Sequence, residues 1–114
     1  IVVADDSAIL RDRICKLIKG LNESIMICEA ENGLQAMELI SAQKPDLVIL
    51  DIRMPEMNGI KVLQKIREMK IKIKVCMLSN FPFPQYKKKC FDLGADFFFD
   101  KNMEFERILD ILPG

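Results

Sequence analysis

The sequence predicts an α/β domain of three layers, a parallel sheet covered by helices on both faces. Five short apolar runs, at residues 1–4, 25–30, 47–50, 74–78 and 97–99, are each followed by a stretch with apolar residues at helical spacing. Several runs are nearly unbroken Val, Ile, Leu or Phe, the composition of strands buried on both faces. The connections are short, so strands and helices alternate as the right-handed crossovers of a doubly wound sheet.

The first run leads into Asp5-Asp6-Ser7, and Ser7 is placed to cap a helix striped by Leu10, Ile14, Leu17, Ile18 and Leu21. The second gives way to Asn32-Gly33 and a helix carrying Leu34, Met37, Leu39 and Ile40. The third ends at Asp51, and Asn58 then precedes a helix lined by Ile60, Leu63, Ile66 and Met69. The fourth ends at Ser79; Pro84 suits the first turn of a helix lined by Tyr86, Cys90 and Leu93. The fifth, Phe97-Phe98-Phe99, leads to Lys101 and a closing helix with Phe105, Ile108, Leu109 and Leu112. With no linker, repeat or low-complexity segment, residues 1–114 read as one domain.

Composition narrows the function. Lys plus Arg and Asp plus Glu both total 17, and a net charge of zero argues against general nucleic-acid or membrane-surface binding. There is no histidine, which removes His-based triads, most zinc sites and a phosphohistidine carrier role. Cys15, Cys28, Cys76 and Cys90 form no C-x-x-C pair and read as reduced thiols rather than a metal or redox site. No apolar run approaches a membrane span and no signal-peptide pattern opens the chain, so a cytoplasmic setting is expected. The opening residue is Ile within a strand-like run, so a few preceding residues, and a partner domain with them, are expected to be absent.

The chemistry lies where polar residues follow apolar strands. Asp5-Asp6 closes the first run and Asp51 the third, and ligands of open parallel sheets gather at the carboxyl ends of strands. If those strands are neighbours, three carboxylates converge and need a cation, because like charges raise one another's pKa. Mg²⁺ takes oxygen ligands and is commonly shared between carboxylates and a phosphate. Ser79 and Lys101, at two further strand ends, offer a hydroxyl and an ammonium. Taken singly, each is ordinary: acids favour helix N-termini, Asp favours turns, and lysines are usually solvated. Together they are the parts of in-line phosphoryl transfer to a carboxylate.

These residues resemble the response-regulator receiver family of two-component signalling along essentially the whole chain. Val3-Ala4-Asp5-Asp6-Ser7 resembles its opening acidic pair, and the segment from Leu47 through Asp51 and Pro55 to Gly59 its phosphorylation-site segment. Ser79, Gly94-Ala95-Asp96 and Lys101 resemble its hydroxyl position, its turn before the last strand and its lysine. The resemblance implies a (βα)5 flavodoxin-like domain with a five-stranded parallel sheet of order 2-1-3-4-5. It implies Asp51 as phosphoacceptor, with a sensor histidine kinase or phosphotransfer protein supplying the phosphoryl group. Asp6, Asp51 and the backbone carbonyl of Arg53 would hold Mg²⁺, with Asp5 acting largely through water. Lys101 would pair with Asp51 and then with the phosphoryl oxygens, while Ser79 and Phe98 would switch. The readout face would comprise residues 83–93, 97–99 and 104–112, offered to a downstream partner or output domain or to a second copy in a homodimer.

This chain departs from the family pattern in places. Asn102 stands where Pro, commonly with a cis peptide, usually follows the lysine, and Asn80 where a smaller residue is commoner. Phe98 lacks a tyrosine hydroxyl, and Arg53 and Phe81 flank the site. Lys87-Lys88-Lys89 reads as a solvated face on the readout helix, with an acidic partner surface as the alternative. A pseudo-receiver that only binds proteins would have lost an acid or the lysine, and none is lost. An aspartate-nucleophile phosphatase would carry D-x-D after its first strand, and a flavin module would have less acidic strand-end loops. The expected role is therefore a signalling module, not an enzyme, with no direct nucleic-acid or membrane contact. Either a stand-alone receiver or one excised from a longer regulator fits these residues.

Overall fold

The computed structural model describes residues 1–80 and 83–113. Five parallel strands, β1 (Val2–Ala4), β2 (Cys28–Ala30), β3 (Leu47–Asp51), β4 (Lys74–Ser79) and β5 (Phe97–Asp100), form one sheet in the order β2-β1-β3-β4-β5. The helices α1 (Ala8–Leu21), α2 (Gly33–Gln43), α3 (Gly59–Glu68) and α4 (Pro84–Asp92) alternate with them, and a 3₁₀ helix (Phe105–Ile111) closes the chain. The expected three-layer, flavodoxin-like arrangement and strand order are those observed.

The sheet divides two cores by side-chain parity. Val3, Leu47, Ile49, Cys76, Leu78 and Phe99 pack with Ile14 and Ile18 of α1 and Ile108 of the closing helix. Val2, Val48, Leu50, Val75, Met77 and Phe98 face the other way, onto Ala36 and Ile40 of α2, Leu63 and Ile66 of α3, and Cys90 of α4. All four cysteines are free, and two of them, Cys76 and Cys90, are buried in these cores.

Helix starts follow local chemistry. The side-chain oxygens of Ser7, Asn32 and Asn58 accept from the amides of Leu10, Gln35 and Lys61, and Pro84 opens α4. Two elements differ from expectation. β2 is confined to three residues because β1 offers only three to pair with; Met26, ahead of it, is exposed. The closing helix is 3₁₀, and its inward residues are Phe105, Ile108 and Ile111, joined by Leu112, while Leu109 takes no part in the core. A three-residue repeat matches three residues per turn, so the 3₁₀ form presents that row to the sheet. No helix among the described residues is long and apolar enough to cross a membrane.

Candidate functional site

Strand alternation gathers the site. Asp5, Asp51 and Lys101 continue the parity of Val3, Ile49 and Phe99, so they point to the α1 side of the sheet's carboxyl edge. Ala4 pairs with Leu50, which sets Asp5 level with Asp51 on the neighbouring strand. The amide of Lys101 donates to the Ser79 carbonyl (2.9 Å), and its side chain reaches back across β4. There Nζ donates to Asp5 Oδ2 at 2.8 Å and lies 3.0 Å from Asp51 Oδ1. Asp5, Asp51 and Lys101 are all buried, whereas Asp6 is exposed.

The second oxygen of Asp5 is also committed, because Oδ1 accepts the Ser7 amide at 2.8 Å. One oxygen each of Asp5, Asp6 and Asp51 nonetheless fall within 4.8 Å of one another. This oxygen-only set fits a hard divalent cation such as Mg²⁺. Asp6 and Asp51 are the carboxylates with capacity to spare, while Asp5 already serves Lys101 and the turn. Electrostatics agree: burial, then the Asp5 carboxylate, push the Asp51 pKa up to about 6, against the opposing pull of Lys101. For Lys101, burial works against the charge, but hydrogen bonds and proximity to Asp5 and Asp51 prevail and raise its pKa.

A cleft of about 400 Å³ opens above these groups, and Ser79, Asn80, Arg53 and Asn102 line it with the acids. All the sequence-predicted polar residues of the site thus meet at one place. Phe98 does not reach the cleft; it is buried among the residues facing α2, α3 and α4. Phe81 lies outside the described residues. The peptide after Lys101 is trans, as are all those among the described residues. Instead of a proline, Asp100 shapes this loop: its Oδ1 accepts the Asn102 amide and its carbonyl the Glu104 amide.

Two supporting residues complete the surroundings: Arg11, which was not singled out from sequence, and Gly59, which was named only as part of the segment after Asp51. Arg11, buried on α1, donates from Nη1 to the Asp5 carbonyl (2.5 Å) and from Nε to Glu29 (3.1 Å). Its signal was a cation on the inward stripe of α1, in register with Ile14 and Ile18. Gly59 lies so close to Asp51 that a Cβ would stand 2.0 Å from the Asp51 carbonyl oxygen, and its amide donates to Ile52. The sequence pattern includes that glycine but gives no reason for it.

Comparison with known proteins places this arrangement. Residues 1–113 match the response regulator receiver domain. Chemotaxis protein CheY of Bacillus subtilis is 35% identical over 112 residues, covering 98% of this chain and 92% of that protein. The nitrate/nitrite response regulator protein NarL of Escherichia coli is 34% identical over 112 residues, 98% of this chain but 52% of NarL. A protein-glutamate methylesterase/protein-glutamine glutaminase of Clostridium acetobutylicum is 34% identical over 103 residues, 89% of this chain and 30% of that protein. The chain therefore spans about half of NarL and just under a third of the methylesterase. Among solved structures, a LuxR-family DNA-binding response regulator from Staphylococcus aureus superposes with a TM-score of 0.87 at 36% identity, covering 96% of this chain and 91% of that one. The chain belongs to the response regulator receiver domain family, the signalling modules of two-component systems.

Proposed function

We propose that residues 1–114 are one receiver domain in which Asp51 accepts a phosphoryl group from a phosphohistidine on a sensor histidine kinase or phosphotransfer protein. The observation that carries this reading is the Asp51 carboxylate itself. It ends the central strand at the floor of an open cleft, 3.0 Å from a buried ammonium and clustered with two further carboxylates. These 114 residues contain no histidine, so the donor lies outside them.

Asp6, Asp51 and the Arg53 carbonyl would hold Mg²⁺, with Asp5 acting through water. When bound, the cation neutralises charge between the carboxylates and the incoming phosphoryl oxygens. An Asp51 oxygen attacks phosphorus in line; the P–O bond forms as the donor's P–N bond breaks, and the imidazole leaves with that electron pair. Lys101 donates to the phosphoryl oxygens, and the Ser79 hydroxyl turns toward them. The hydrogen bonding of Ser79 and the ionic attraction of Lys101 would be relayed through Phe98 to α4, β5 and the closing helix, the surface read by a downstream partner, an output domain or a second copy. Exposed Ile9 lines the cleft and exposed Met103 the adjoining pocket that shares Lys101 and Asn102 with it, apolar surface that suits docking of a protein donor. Free cysteines and this chemistry fit a cytoplasmic setting.

The test is intact mass after incubation with Mg²⁺ and acetyl phosphate, beside Asp51→Asn. One phosphoryl adduct that needs Mg²⁺ and is absent from the variant supports the reading. An adduct of equal yield on the variant refutes Asp51 as acceptor.

A further inference from the structure

Arg11 is a buried cation for which phosphoryl transfer has no direct use. It sits on the inward stripe of α1, where Ile14 and Ile18 fill the neighbouring positions. An apolar side chain there would complete the core without taking a charge out of water, and ion pairs with exposed acids such as Glu29 and Glu31 rarely repay that cost by themselves. The guanidinium must therefore be doing something that a leucine could not.

Its partners say what. Nη1 donates to the backbone carbonyl of Asp5 at 2.5 Å, and the Asp5 amide is fixed from the opposite side by the Ala30 carbonyl at 3.0 Å. Both main-chain groups of Asp5 are thus pinned, one by α1 and one by β2. This sets the direction in which the chain leaves β1 and hence where the Asp5 and Asp6 carboxylates point. The remaining edges of the fork face acids: Nε meets Glu29 Oε1 at 3.1 Å, and Nη2 lies 3.9 Å from Glu31 Oε1. An unpaired positive charge behind an acidic pocket would repel the cation that the pocket is built to hold. Glu29 and Glu31 cancel that charge and leave the fork's geometry, which a lysine's single ammonium does not reproduce.

We propose that Arg11 is a positioning residue for the metal-binding turn, holding Asp5 and Asp6 in place through the Asp5 carbonyl while Glu29 and Glu31 neutralise its charge. The proposal rests on the reading of Asp5, Asp6 and Asp51 as a Mg²⁺ site. It makes the β2 edge, which carries no metal ligand, part of the machinery that sets Mg²⁺ affinity. Groups behind a metal's ligands typically change affinity by about 10–100-fold when removed.

The experiment is calorimetric Mg²⁺ titration of the wild type, Arg11→Met, Arg11→Lys and Glu29→Gln, with urea unfolding of each in EDTA. Arg11→Met should raise the Mg²⁺ Kd by roughly tenfold or more. Arg11→Lys should recover part of the loss, since it restores charge and one donor but not the fork. Glu29→Gln should weaken Mg²⁺ binding by a smaller factor that fades at high salt, because it acts through charge alone. Wild-type Kd in Arg11→Met, with only its metal-free stability reduced, would overturn the proposal and leave Arg11 a packing residue. Should Arg11→Met not fold, unchanged Kd values in both Arg11→Lys and Glu29→Gln would overturn it equally. Failure of the wild type to bind Mg²⁺ would remove the reading of Asp5, Asp6 and Asp51 as a Mg²⁺ site, and this proposal with it.

Discussion

Asp51 is under two opposed demands: as the proposed phosphoacceptor it must be ionised, yet burial and then the Asp5 carboxylate push its pKa up to about 6. The linkage sign is definite. With the folded pKa above the unfolded value of 3.8, the native state binds more protons between those limits, so metal-free stability falls as pH rises from about 4 to 6 and is level above. The full effect is of order 2–3 kcal/mol, and Asp51→Asn should remove it. Urea unfolding in EDTA at pH 4 and pH 7 checks this: the variant should gain stability over the wild type at pH 7 and little at pH 4. Lys101 bears the reverse burden, as the single ammonium between Asp5 and Asp51. Lys101→Ala strands two buried carboxylates and should cost about 3–5 kcal/mol without metal. Mg²⁺ should bind it still and restore part of that loss. A thermal melt with and without Mg²⁺ measures both. The gathering of Asp5, Asp6, Asp51, Ser79 and Lys101 at one sheet edge was legible because each lies within two residues of the end of an apolar run. Arg11 was not, because its partner is a backbone carbonyl, which has no sequence signature.

The connection from β3 to α3 is as constrained as the strand it follows. Gly59 packs against the Asp51 carbonyl, and Gly33 at the start of α2 packs against the same loop, where a Cβ would lie 2.0 Å from the Met57 carbonyl oxygen. Neither contact concerns φ; both are cases of backbone approaching backbone too closely for a side chain. Gly59→Ala should therefore cost about 1–3 kcal/mol and slow acetyl-phosphate labelling of Asp51, since relief of the clash must move the Asp51 carbonyl. Wild-type labelling and stability would show that the loop yields freely. The closing helix carries the complementary lesson. Its residues Phe105, Ile108 and Leu112 were expected inside and are, but an α-helical stripe and a 3₁₀ row share Phe105 and Ile108, and Ile111 in place of Leu109 distinguishes them. In β2, apolar Ile25 and Met26 extend the strand-like run past the point where pairing ends, because an edge strand is only as long as its neighbour.

Over the whole molecule, Mg²⁺ binding should appear as stability. A cation that binds only the folded state adds about 2.7 kcal/mol at one hundred times its Kd. The increment should shrink as pH falls through 6, where Asp51 takes up a proton, and Asp6→Ala should weaken it at every pH. Melts over a Mg²⁺ series at pH 5 and 7.5 would show this, and an equal increment at both would mean that Asp51 is not a ligand. By itself the sequence determined the five alternating units, the parallel sheet with both faces covered, the helix caps and the identity of the polar residues at the strand ends. These are local facts, set by side-chain period and by which residues follow each apolar run. Tertiary structure alone decided that Lys101 bridges Asp5 as well as Asp51, that Arg11 grips Asp5 from behind and that Gly59 lies against Asp51. Each of those contacts joins different elements across β-sheet order and register, and distances between elements are fixed only when the two cores pack.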